Sequence, residues 1–329
     1  MKAAFYTRQG MAEDVLEVSD IRELLPNKGE VQIEIHFSGV NPGEVKKRSD
    51  AFGVGMPFDR IIPHSDGSGY ITKVGQGVDQ NWIGNKVLCF GAQSYRQYGT
   101  AAELCCVPVE NVVEIAENVL LEQAGQMGIP GITAHRSVHV GGNGIRQDRT
   151  GQVLLVQGGS GAVGQCAIAI AKKAGATVLA TVRKQKDDQM AKAAGADKVY
   201  LADGNLKENI LSDYPEGIDH IIEVAFAANI EADAEMLKQG GSIATYATDK
   251  HPAIIPFWPL VFSNISVFFL GSDDFSIEAK QAAAQDLAVL LEGGWKGLTI
   301  GEIYDINDIA NAHLHIENRQ EGRALVRIK

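Results

Sequence analysis

Val153-Leu154-Leu155-Val156-Gln157-Gly158-Gly159-Ser160-Gly161-Ala162-Val163-Gly164 is the stretch on which the fold turns. Four apolar residues flanked by glycines read as a strand buried on both faces. The turn that follows carries G-x-G-x-x-G at Gly159, Gly161 and Gly164, and an alanine-rich helical stretch, residues 165–174, opens on it. A chain with 36 glycines can produce that pattern by chance, so the context decides. Here a strand precedes and a helix follows, inside one βαβ unit. The first glycine allows a tight turn, the second lets backbone approach a pyrophosphate, and the third lets helix and strand pack closely. Free N–H groups and the helix dipole favour an anion at that place. A dinucleotide is the expected ligand.

Reading outward, the same grammar continues toward the C-terminus. Residues 178–181 are a second buried strand, and residues 185–194 a helix closed by Gly195. Strands at 198–201, 218–224 and 241–245 follow, with a helix expected over 230–239. Short apolar strands alternating with helices specify a parallel sheet covered on both faces. From about Ser272 the pattern predicts a long helix to Leu291, a strand near Ile300, a helix over 305–317 and a closing strand at 324–328. Before about Glu122 the pattern is different. Residues 31–35 alternate apolar and polar, 69–75 form a strand ending on glycine, and 86–90 follow as another, which predicts a β-rich domain.

The second strand of the dinucleotide unit bears on which dinucleotide. An NAD site usually ends that strand with Asp or Glu to hold the ribose 2′-hydroxyl. Here that place falls at Thr181-Val182, and Arg183 and Lys184 follow, with Lys186 close behind. Cations there would pair with a 2′-phosphate, so NADPH is expected; the competing reading is a solvated helix start.

Composition narrows the class. The 329 residues are 45% apolar and 22% charged, which fits two globular domains without a disulfide or metal staple. Thirty basic against forty-one acidic residues give a net charge of −11, which disfavours nucleic acid as partner. No apolar run approaches the roughly 20 residues that span a bilayer, so no membrane association is expected. The start, Met1-Lys2-Ala3-Ala4-Phe5, turns polar at Thr7 and predicts no signal peptide. Cys89, Cys105, Cys106 and Cys166 lack a C-x-x-C spacing and read as small buried hydrophobes of a cytoplasmic protein.

Several further segments carry a family resemblance. They are Ser38-Gly39-Val40-Asn41-Pro42, then Ile62-Pro63-His64-Ser65-Asp66-Gly67-Ser68-Gly69 with Val74-Gly75-Gln76-Gly77-Val78. Gly128-Ile129-Pro130-Gly131-Ile132-Thr133-Ala134, the glycine turn, and Gly217-Ile218-Asp219 through Gly240-Gly241 complete the series. In this order the chain resembles the zinc-free medium-chain dehydrogenases/reductases, specifically quinone oxidoreductases of zeta-crystallin type. The resemblance implies an α/β fold: a GroES-like β-rich catalytic domain made from both chain ends, and a Rossmann doubly wound parallel sheet between them. In these terms residues 1–124 are the catalytic domain, 125–268 the NADPH-binding domain, and 269–329 a segment returning to the first.

Zinc-dependent relatives place Cys where this chain has Asn41, and His-Glu where it has Ser65-Asp66; His64 comes one position too early. The resemblance therefore implies no metal. Two other pairs, His135 with His139 and His313 with His315, lack a third ligand beside them in the sequence and are read as structural. Without a Lewis acid, hydride transfer suits a quinone or conjugated enone, whose own π-system takes the charge. By resemblance Asn41 and Thr133 surround the nicotinamide, and Phe52 is read either as lining that nicotinamide and substrate pocket or as an ordinary core aromatic. Gly159, Ser160, Gly161, Ala162, Val163 and Gly164 hold the pyrophosphate, and Arg183 and Lys184 the 2′-phosphate. Asn229, Tyr246, Ala247, Thr248, Phe269 and Leu270 line the rest of the groove. Two departures stand out: Phe52 replaces a tyrosine found in many relatives, and Asp249 stands where some carry a base.

The expected activity is NADPH-dependent reduction of a quinone or related small conjugated carbonyl. The alternatives are a 2-alkenal or enoyl reductase on the same scaffold, and a non-catalytic, crystallin-like NADPH-binding protein. A homodimer or homotetramer is implied, because in this family Rossmann sheets join edge to edge and Asn264-Ile265-Ser266-Val267-Phe268-Phe269-Leu270 is apolar enough to be the paired strand.

Overall fold

The computed structural model describes residues 1–142 and 144–329. It divides into two compact units, Gly131–Asp274 and a unit formed by Met1–Pro130 with Phe275–Lys329.

The Gly131–Asp274 unit is a six-stranded sheet among the described residues. Its strands are β1 (Val153–Val156), β2 (Thr177–Val182), β3 (Lys198–Leu201), β4 (Ile218–Glu223), β5 (Leu237–Thr245) and β6 (Ser266–Phe269). They lie in the order β3-β2-β1-β4-β5-β6 with every neighbouring pair parallel. Helices α1 (Ala162–Lys173), α2 (Asp188–Ala194), α3 (Leu206–Asp213), α4 (Phe226–Met236) and α5 (Phe257–Phe262) connect them. Leu154, Leu155 and Val156 have no exposed surface, which is why the strand's sequence is continuous rather than alternating. Alanines along α1 let it lie close to the sheet, with Cys166 through Ala171 buried. Gly195 closes α2 in a left-handed conformation, φ 111°, as its sequence position predicts. The strand order reverses between β1 and β4. In such sheets ligands bind outside the carboxyl ends at that reversal.

Several boundaries differ by a few residues from the sequence reading, and one has a traceable cause. The helix expected over 230–239 is α4, Phe226–Met236, and ends three residues sooner. Leu237 is already extended and pairs with Ile218, so burial of its side chain against β4 overrides the helical pattern.

The other unit holds a seven-stranded sheet among the described residues. Glu30–Gly39 runs antiparallel to Asp66–Val74, which pairs in turn with Lys86–Cys89 and then Val112–Glu114; Leu104–Pro108 flanks the first half of Glu30–Gly39. The chain's last strand, Arg323–Arg327, pairs antiparallel with the end of Glu30–Gly39, placing Leu325 opposite Gly39, and Ile300–Asp305 pairs with it on its far side. One core cluster mixes both chain ends: Ala3, Ala4, Val40 and Ile62 with Ile306, Ile309, Ala324 and Val326. Fold class thus follows the expectation, a β-rich unit from both ends and a doubly wound parallel sheet.

Candidate functional site

The glycine turn joins β1 to α1 at the carboxyl edge of the sheet. Left-handed backbone falls on Gly158, φ 71°, one residue before the motif's first glycine. Gly159 has a different role: a Cβ there would lie 2.7 Å from the Ala180 Cβ of β2. At Gly164 a Cβ would lie 2.3 Å from the Gly158 carbonyl, so this glycine sets the helix–turn approach, as expected. Gly161 is open by comparison, with only the Gly158 oxygen within reach at 3.3 Å. The turn is held from below. Gly159 N–H donates to the Thr181 carbonyl at 2.8 Å, and Gly158 N–H to Thr181 Oγ1 at 3.0 Å. Gly161 is the N-cap of α1 and supplies no side-chain cap. The first-turn N–H groups of Ala162 and Val163 therefore lack an intrahelical or capping partner, the arrangement that receives an anion.

At the end of β2, Val182 points into the core with 2% of its surface exposed, whereas Arg183 and Lys184 stand exposed beyond it. The residue nominally in the acidic place is thus turned away from any ligand. The neighbouring strands contribute a groove of about 300 Å³ beyond the ends of β5 and β6. Tyr246, Ala247, Thr248, Phe269 and Leu270 line it, five of the six residues the resemblance places along the groove; Asn229 is not among the lining residues. Phe226, Thr245, Lys250, His251 and Ala253 line it too, and sequence reading missed them. The signal for Lys250 and His251 was proximity to the Thr248-Asp249 loop; Phe226 enters from α4 and meets Phe269 edge-on, centroids 5.4 Å apart. Asn229 gives its amide N–H groups to Glu223, Nδ2 lying 3.1 Å from each carboxylate oxygen, so its amide oxygen remains as the acceptor. Thr133 is buried in the helix Gly128–His139, where its carbonyl accepts from Ser137 Oγ. On that helix the rings of His135 and His139 lie 4.4 Å apart.

In the other unit Asn41 caps the helix Pro42–Arg48 and is buried at the centre of a polar cluster. Its amide oxygen accepts from Arg323 at 2.9 Å, and its amide nitrogen donates to Asp66 at 2.8 Å and to Glu44 at 3.2 Å. Asp66 also accepts the Ile129 N–H at 2.7 Å, and Glu44 the Ser65 N–H at 3.0 Å. Burial and the Glu44 carboxyl push Asp66 up to about 7, and burial raises Glu44 as well. Phe52 is exposed, with the Lys46 ammonium 5.9 Å from its ring centre.

The positions that hold a catalytic zinc in metal-dependent relatives are therefore an amide, a hydroxyl and a carboxylate, with the Arg323 guanidinium 4.0 Å from that carboxylate. His64 turns the other way, Nδ1 to Ser38 Oγ at 2.8 Å and Nε2 to His313 at 3.1 Å. A cation already occupies the electrostatic role beside Asp66, and these residues do not fit a zinc cage.

Comparison with known proteins agrees with this layout. Residues 162–286 match the family described as zinc-binding dehydrogenase, and residues 27–117 the alcohol dehydrogenase GroES-like domain. Quinone oxidoreductase of Mus musculus is 28% identical over 299 residues, covering 90% of this chain and 87% of that one. The Homo sapiens quinone oxidoreductase is 28% identical over 307 residues, 91% and 88%. A mycobacterial quinone oxidoreductase structure superposes over the whole of both chains with TM-score 0.86 at 22% identity, and a structure described as a mycobacterial protein complexed with NADPH gives 0.83. An NAD-dependent alcohol dehydrogenase gives 0.85 at 23% identity. With a GroES-like match before the glycine turn and a dehydrogenase match running on from it, the chain is an oxidoreductase by fold and kinship and belongs to the medium-chain dehydrogenase/reductase family.

Proposed function

We propose that this protein is an NADPH-dependent reductase of quinones or related conjugated carbonyls that works without zinc. The observation that carries the reading is the carboxyl edge of the parallel sheet: an uncapped helix N-terminus at Gly161, with exposed Arg183 and Lys184 at the end of the next strand and no acid between them. When bound, NADPH supplies the hydride. In this reading backbone N–H groups from Ser160 to Val163 take the pyrophosphate, and Arg183 and Lys184 the 2′-phosphate. Asn229, Tyr246, Thr248 and the Phe269 ring hold the remainder in the groove. Asn41, Phe52 and Thr133 are assigned to the nicotinamide and substrate by kinship. Asn41 acts from a fixed position, since its amide is bonded on both sides.

The amide, hydroxyl and carboxylate at the positions that hold zinc in metal-dependent relatives supply no Lewis acid strong enough to polarise a simple ketone. An acceptor that delocalises charge itself is therefore the fitting substrate, and the curated relatives named quinone oxidoreductases support that choice. On the same reading the catalytic domain spans 1–124 and 269–329, the cofactor domain 125–268. On this reading the protein works in the cytoplasm, in keeping with its four buried cysteines.

The test is NADPH and NADH oxidation against a panel of quinones, enals and enones, with metal analysis of the purified protein. Quinone-dependent NADPH oxidation that survives a chelator is expected. Stoichiometric zinc with activity lost on chelation, or equal use of NADH, overturns the corresponding part.

A further inference from the structure

Beneath the glycine turn lie two carboxyl groups that are not themselves among the ligand-binding residues assigned above. Glu223 ends β4 and Asp233 sits on the inward face of α4; neither has exposed surface. Glu223 accepts from the Ala225 N–H and the Asn229 amide. Asp233 Oδ1 accepts from Gln157 Nε2 at 2.9 Å. Gln157 Oε1 in turn accepts from Thr181 Oγ1 at 2.8 Å, and Thr181 Oγ1 accepts from the Gly158 N–H at 3.0 Å. The direction of this chain is fixed, because the backbone N–H can only donate and the hydroxyl has one proton to pass on. It runs from Gly158 through Thr181 and Gln157 to Asp233. Asp233 Oδ2 finds no donor among the described residues, and the Asp233 carboxyl faces that of Glu223. Two buried carboxylates in contact repel, whereas one proton between them makes a hydrogen bond.

We propose that Asp233 is a positioning residue for nucleotide binding: as a neutral acid it donates to Glu223 and accepts from Gln157, tying the glycine turn to the loop that carries Asn229. The role rests on the dinucleotide reading above. Burial and the adjacent Glu223 both hold the Asp233 acid well above the usual carboxyl range. The Tyr246 phenol also faces Glu223 and is raised by burial, with the Cys166 thiol of α1 beyond it. Glu231 and Glu235, the other acids of α4, lie at the surface, Glu235 bonded to Lys207 of α3 at 2.6 Å. Among the described residues, none of the groups acting on the Asp233 carboxyl is a cation.

Asp233→Asn and Asp233→Ala separate this role from simple core filling. Asparagine can donate to Glu223 and accept from Gln157 but cannot ionise; alanine breaks the link. The first measurement is urea unfolding without nucleotide, from pH 5 to 8. An Asp protonated in the fold and ionised above about pH 3.9 when unfolded makes the wild type lose stability as pH rises. The ratio of folding constants, Asp233→Asn over wild type, should therefore grow by up to tenfold per pH unit. A ratio independent of pH overturns the shared proton.

The second measurement is the Kd for NADPH by fluorescence titration at pH 7. Asp233→Asn should stay within about threefold of wild type, and Asp233→Ala should weaken binding at least tenfold with kcat at saturating NADPH little changed. If Asp233→Ala fails to fold, Thr181→Val cuts the same chain higher up and should weaken binding in the same way. Tight binding by the broken-link variant, or equal weakening in Asp233→Asn, overturns the positioning role. A wild type that binds no dinucleotide refutes the functional reading and the positioning role together, while the unfolding series still decides the proton.

Discussion

At residue scale, charge and backbone openness decide what the site can hold. Arg183 and Lys184 are exposed, so solvent screens them and each contributes less than a buried charge-assisted bond. Replacing both by Ala should raise the KM for NADPH about tenfold and leave that for NADH nearly unchanged; steady-state kinetics with both cofactors checks this. Val182 is no place to engineer an acid, because its side chain is buried in the core. The glycine turn invites the complementary test. A Cβ at Gly161 meets only the Gly158 oxygen, at 3.3 Å, so Gly161→Val should fold yet obstruct the approach of a pyrophosphate. Calorimetry should find NADPH affinity lost in a protein with wild-type circular dichroism. The His64–His313 pair adds a pH dependence. Arg48 Nε can only donate, 3.3 Å from His313 Nδ1, so His313 Nε2 carries the proton, and His64 accepts it and donates from Nδ1 to Ser38. Both rings are neutral, His64 pushed down to about 3 by burial and Arg323, and His313 well below its usual range by burial, His64 and Arg48. Folded values below the unfolded one of about 6.5 mean stability is full above that pH and is lost as pH falls toward 3. His313→Gln should remove part of that acid loss, read as a smaller slope of urea stability between pH 6.5 and 4.

At element scale, the sequence was most readable where local chemistry and burial agree. β1 is an unbroken apolar run because both its faces are covered, and α2 stops where Gly195 can adopt φ 111°. Gly195→Ala should cost about 1–2 kcal/mol, the penalty for a side chain in left-handed backbone, measurable by urea unfolding. The end of α4 was not readable, since pairing of Leu237 with Ile218 depends on a strand nineteen residues away in sequence. The same limit hid Phe226 from the groove and Asp233 from Glu223, whereas Lys250 and His251 stood directly after Thr248-Asp249 in the sequence. Glycine spacing announces a phosphate cradle, but what supports it from beneath is set by which side chains the sheet brings together. Tyr246, Thr248 and Phe269 came to notice through kinship, with no local pattern to mark them.

At the scale of the whole molecule, the parallel sheet ends at β6, which among the described residues pairs on one side only. Phe269, Phe262 and Trp258 beside that edge are 73%, 71% and 62% exposed. An open edge flanked by aromatics invites association, and a second copy of the sheet is the fitting cover. Light scattering at micromolar concentration should give a dimer or a dimer of dimers; a monomer refutes this.

The closing strand of the β-rich unit has a consequence in time. Gly39 waits for Leu325, and the whole Gly131–Asp274 unit is made between them. At roughly 5–20 residues per second, those intervening residues take the ribosome on the order of 15 to 60 s. The Gly131–Asp274 unit can therefore be complete while its older neighbour still lacks Ala324 and Val326 from its core. A newborn chain is thus half enzyme and half client, and its first hundred residues are the part that a chaperone has reason to hold.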